Sequence, residues 1–134
     1  MLLTARPLIN VSDVNAWEYA DEVKFTQGDQ LYVYFQLIDA QKDKSLKLPG
    51  KRYVPASGAT LVATISSIDL NKTYAKVASQ PFSGDLSIWR IQVLSTDNCV
   101  GTMSIKLVLL ESGLTTYGTI KNVLSIDPRT STFI

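Results

Sequence analysis

Three stretches of this chain repeat one pattern, and that pattern limits the fold more than any other feature. In residues 30–38, Leu31, Val33, Phe35 and Leu37 alternate with Gln30, Tyr32, Tyr34 and Gln36. In "GATLVATISSI", Ala59, Leu61, Ala63 and Ile65 alternate with Thr60, Thr64 and Ser66. In "GTMSIKLVLL", Met103, Ile105, Leu107 and Leu109 alternate with Thr102, Ser104, Lys106 and Val108. A period of two belongs to β-strands, whose successive side chains point to opposite faces, one packed and one wet. Further strands are predicted over 7–11, 21–26, 72–79, 86–94 and 114–126. Adjacent large residues at Ile88 and Trp89 call for a bulge or for burial on both faces. Turn signals such as "TQGDQ", "SIDLNK", "QPFSGD" and "ESGL" separate the strands. The expected fold is all-β: a single antiparallel β-sandwich, immunoglobulin-like or jelly-roll, of seven to eight strands with little helix. "SDVNAWEYADEV" is the one helix candidate, with Ser12 or Asp13 as N-cap, although its apolar spacing is poor.

The chain has 134 residues, enough to bury roughly 68% of its unfolded surface without metal or disulfide staples. One domain spanning 1–134 is expected, with a core over about 21–127. The N-terminal segment 1–20 and the C-terminal tail 128–134 are assigned to contacts. Cys99 is alone and reads as a small apolar filler. "MLLTARPLINVSD" has neither the cationic start nor the apolar run of a signal peptide, so a cytoplasmically made, soluble product is expected. The sequon at Asn71–Thr73 is then a chance occurrence. The net charge of +1 offers no general pull toward nucleic acid or an anionic membrane, and neither is expected as a partner.

Composition also removes chemistry. The chain contains no histidine, which excludes Ser-His-Asp and Cys-His catalysis and His-ligated metal. Asp29, Asp39, Asp43, Asp69, Asp85, Asp97 and Asp127 lie almost entirely in turn contexts, where aspartate bonds backbone amides. No enzymatic activity, cofactor or metal site is expected.

Contacts are the alternative to chemistry. Residues 1–29 carry five acidic side chains against Arg6 and Lys24. Residues 39–53 carry Lys42, Lys44, Lys47, Lys51 and Arg52 against Asp39 and Asp43. These are either two solvated segments or complementary patches between neighbouring copies. The stretch 39–56 has no clear periodicity and is expected to cross between sheets or to protrude toward a partner. Tyr32 and Tyr34 share one strand face. They would serve a subunit contact, stack a sugar ring, or pack within the domain. Phe133 and Ile134 end the tail with an apolar plug. The candidate partner contacts are therefore Tyr32, Tyr34, Lys42, Lys44, Lys47, Lys51, Arg52, Phe133 and Ile134.

The order of "GDQLYVYFQLID", "GATLVATISSIDLNKTYAKVA" and "GTMSIKLVLLESGLTTYGTIKNVLSID" resembles a known pattern. It is similar to the small immunoglobulin-like modules of tailed-bacteriophage virion proteins, notably the N-terminal domain of baseplate upper proteins. The matching positions are Asp39, Gly58-Ala59-Thr60-Leu61, Gly101 and Leu124-Ser125-Ile126, within about residues 25–127. The resemblance implies a non-enzymatic structural subunit of a phage particle, in capsid, neck, tail or baseplate. Its partners would be other virion proteins and copies of itself. It brings no catalytic residues. A carbohydrate-binding or receptor-attachment module is the alternative that the tyrosine face suggests.

Overall fold

The computed structural model describes residues 2–10, 17–19, 23–26, 31–40, 51–67, 72–81, 83–94 and 101–127. Among them the regular elements are ten strands: β1 (Leu3–Asn10), β2 (Trp17–Tyr19), β3 (Val23–Thr26), β4 (Leu31–Asp39), β5 (Lys51–Arg52), β6 (Thr60–Ser67), β7 (Lys72–Val77), β8 (Ile88–Val93), β9 (Gly101–Glu111) and β10 (Leu114–Asp127). The fold is all-β, as the alternation predicts, and is consistent with a β-sandwich. Ten strands exceed the expected seven to eight because β2 and β5 are short pieces with no periodicity to announce them. The sheet is mixed rather than wholly antiparallel, since β10 runs parallel to both β1 and β3.

Hydrogen bonding follows a closed path. On one side β2 pairs with β1, β1 with β4, and β4 with both β8 and β5. On the other, β3 pairs with β10, β10 with β9, β9 with β6, and β6 with β7. The two groups join at both edges. Leu3 faces Gly118 at one. At the other, the Ser79 and Arg90 backbones exchange bonds of 3.0 and 2.8 Å just after β7.

Gly118 explains how the first join is made. A Cβ there would lie 2.3 Å from the Leu3 carbonyl oxygen, so only a residue without one lets β1 approach this closely. Beyond Leu3 the strands part, and β2 takes over the free edge of β1 from Leu8. Pro7 falls between those two pairings, where no neighbour needs its missing amide.

The buried side chains described inside the path are apolar residues. Leu3 and Ala5, then Val33, Phe35 and Leu37, then Leu61, Ala63 and Ile65, belong to one buried cluster. Trp89, Ile91 and Val93 join it with Met103, Ile105, Leu107 and Leu109, and so do Ala78, Ile120 and Ile126. The inward sets of β4, β6 and β9 are those the alternation assigns. Ile88 and Trp89 are both buried within an unbroken β4–β8 register, so burial on both faces is the answer there, not a bulge.

Two expectations need correction. The helix candidate is not a helix where it is described: Trp17–Tyr19 pairs antiparallel with Leu8–Asn10, and Val23 opens β3. Its poor apolar spacing left no helical face to bury, whereas β1 offered a strand edge. The N-terminal segment is also not merely a contact arm. β1 starts at Leu3, earlier than predicted, and sends Leu3 and Ala5 into the core because an edge between β4 and β10 is available to it.

Candidate interaction surface

Strand directions bring several chain segments to one end of the molecule. Leu3 pairs with both Asp39 and Gly118, Asp39 with Lys51, Leu110 with Thr60, and Gln36 with Ile88. The start of β1, the end of β4, residues 51–59, the approach to β8 and the β9–β10 hairpin therefore meet there. The hairpin turns through Ser112 and Gly113, both with positive φ (48° and 78°), which is the type I′ geometry that matches strand twist.

The three described carboxylates at this end hold chain segments in place. Asp39 Oδ1 accepts the Leu2 amide at 3.2 Å. Asp85 Oδ1 accepts the Ser87 amide at 3.1 Å and the Ser87 hydroxyl, while Oδ2 takes Arg52 Nη1 at 3.1 Å. Ser87 Oγ in turn accepts Gln36 Nε2 at 3.0 Å, so a buried amide is satisfied through the same turn. Burial alone would push the Asp85 carboxyl up, but the Ser87 hydroxyl and amide and the Arg52 charge together hold it below its ordinary value. Glu111 accepts the Tyr53 hydroxyl on one oxygen and the Ala56 amide, at 2.8 Å, on the other. The Glu111 hydrogen bond, then burial, then the Glu111 and Asp39 charges push the Tyr53 hydroxyl up to about 12. That bond fixes the crossing of residues 53–56 from the β4 side to the β9 side, the crossing expected of the long connection.

With its described carboxylates occupied, this end shows apolar side chains to solvent. Leu2 is 63% exposed and Leu114 69%, with Val54, Leu86 and Leu110 also exposed. The patch continues onto the outward face of β7, β6, β9 and β10. Register places Val77, Val62, Val108 and Tyr117 directly side by side across those four strands. The two ends of that row, Val77 at 79% and Tyr117 at 73%, are the most exposed large apolar residues described. Around the row stand Thr60, Thr64, Thr115 and Thr119, and Lys106 is the one charged outward side chain described on this face. A β-branched face with a single described charge, running into an apolar rim, has the composition of a protein contact.

The described residues among those singled out from the sequence lie elsewhere or only at its margin. Lys51 and Arg52 are exposed at this end, but Arg52 is engaged by Asp85. Tyr32 and Tyr34 stand on the outward face of β4, away from the β7–β6–β9–β10 face. Their ring centres are 6.4 Å apart, and the Arg90 guanidinium lies 4.2 Å from the centre of the Tyr32 ring. Lys42, Lys44, Lys47, Phe133 and Ile134 lie outside the described residues. Asp85 is the turn residue it was expected to be. Asp39 ends its strand as expected, and its Oδ1 also holds the start of β1.

The apolar face was missed because no one segment displays it. Its signal in the sequence was the outward set of β9, which changes from Thr102, Ser104 and Lys106 to Val108 and Leu110 just before the hairpin. No protein-family model, curated protein or solved structure matches the chain.

Proposed function

We propose that the chain is a non-enzymatic structural subunit of a bacteriophage particle, acting as a protein–protein assembly module. The strand-pattern resemblance to baseplate modules supports the virion setting. The apolar end and its adjoining sparsely charged face support the assembly role, and that one observation carries the reading. Leu114 and Tyr117 are the anchors: a large aliphatic side chain at the apolar end and an aromatic one on the adjoining outward face, both on the β9–β10 hairpin and both buried on contact with another virion protein or a second copy. Burying each contributes about 1.5–3 kcal/mol, enough for their joint loss to abolish a moderate association.

Light scattering on chromatographed protein tests this through L114E/Y117E. Both side chains are exposed, so the variant should keep its far-UV circular dichroism while losing concentration-dependent association. Association identical to that of the parent chain would refute the assignment of this surface.

A further inference from the structure

A second feature stands on the outward face of β4 and β8. Arg90 pairs with Tyr34 across β4 and β8, and its Nη1 donates to the Tyr34 hydroxyl at 3.5 Å. Its guanidinium lies over the Tyr32 ring, and its buried Nε–H has no acceptor among the described residues. The outward neighbours described on this face are Thr4, Arg6 and Leu8 on β1, Gln36 and Ile38 on β4, and Ile88 and Gln92 on β8. None is acidic. A guanidinium keeps its charge at any physiological pH, and a desolvated donor without an acceptor is costly. Stacking on Tyr32 and the bond to Tyr34 hold the fork in one orientation, which lowers the ordering cost of binding.

We propose that Arg90, held by Tyr32 and Tyr34, forms a carboxylate-binding site that receives an Asp or Glu side chain of a protein partner. The planar fork matches a carboxylate through two parallel bonds. A pyranose would need the ring face that the guanidinium already covers, which favours a protein carboxylate over a sugar. The site lies apart from the apolar end and does not depend on it.

The test is titration of isotope-labelled protein with hexaglutamate and with hexaglutamine at low ionic strength, where exposed charges are least screened. The readout is the Arg90 Nε–Hε resonance. The expected result is a saturable shift with hexaglutamate alone, weakened about tenfold or more in R90K, which keeps the charge and loses the fork. Y32L, which removes the stack and leaves Arg90, should also bind more weakly, with circular dichroism unchanged in both variants. The proposal is overturned if no saturable shift occurs, if hexaglutamine acts equally, or if R90K binds as well as the parent. Tighter binding of N-acetylneuraminic acid than of hexaglutamate would also overturn it, assigning the site to a glycan.

Discussion

Replacing Gly118 by alanine should open the join between β1 and β10. The new Cβ would sit 2.3 Å from the Leu3 carbonyl oxygen and 3.0 Å from its carbon, both backbone atoms that cannot rotate away. Ordinary carbon–oxygen contact is about 3.3 Å, so β1 must retreat by about 1 Å. Such overpacking costs about 1–3 kcal/mol, and weakening the Leu3–Gly118 pairing adds about 1 kcal/mol. Removing a glycine from a strand returns about 0.5–1 kcal/mol, leaving a net loss of about 1.5–3 kcal/mol. For a chain of this length that is a fall in melting temperature of about 5–11 °C. Thermal and urea unfolding followed by circular dichroism would measure it. Gly84→Ala is the internal control: nothing lies within 4 Å of its added Cβ, so a change within about 0.5 kcal/mol is expected. If Gly118→Ala were as stable as the parent, the close approach of β1 to β10 would be wrong. The framing of Leu2 and Leu114 at the apolar end would then be wrong with it.

Other perturbations read the same end of the molecule. Ser112 has φ 48° in the hairpin turn, so Ser112→Asn should raise the urea midpoint, a gain of about 0.5–1 kcal/mol in unfolding free energy, and a lower midpoint would contradict the type I′ assignment. Tyr53 holds its proton to about 12, above the ordinary value of 10.0, so its contribution to stability is complete below pH 10 and is lost as pH rises toward 12. Tyr53→Phe should flatten that alkaline loss, and an unchanged slope would remove the Glu111 bond from the account. The Asp85 carboxyl is depressed, so its contribution is present above the unfolded value of about 4 and fades as pH falls through the lower folded value. Asp85→Asn should therefore show a shallower acid loss than the parent in urea midpoints taken across that range.

Much of the fold was legible because period two is local. Val33, Phe35 and Leu37, and likewise Met103 to Leu109, are buried where alternation puts them. What alternation does not encode is which outward positions another segment covers. Leu8, Gln36, Ile38 and Ile88 face away from the core yet are buried, while Val77 and Tyr117 face away and stay exposed. β2 and β5 are defined by the edges they join, which belong to distant residues. The candidate interaction surface was the least legible part. The row from Val77 to Tyr117 exists only through four-strand register, and the Tyr53–Glu111 bond that shapes the rim spans 58 positions. Residue types at these places carry no motif, whereas the charged run after β4 and the strand tyrosines are visible within single segments.

The most direct test of the assembly reading is a cryo-EM map of the chain in its assembled state. The account expects Leu2, Val54, Leu114 and Tyr117 to be buried against a neighbouring subunit, with the β7–β6–β9–β10 face continuing that contact. A map in which those four side chains remain in solvent, while the contact forms through another surface, would contradict it.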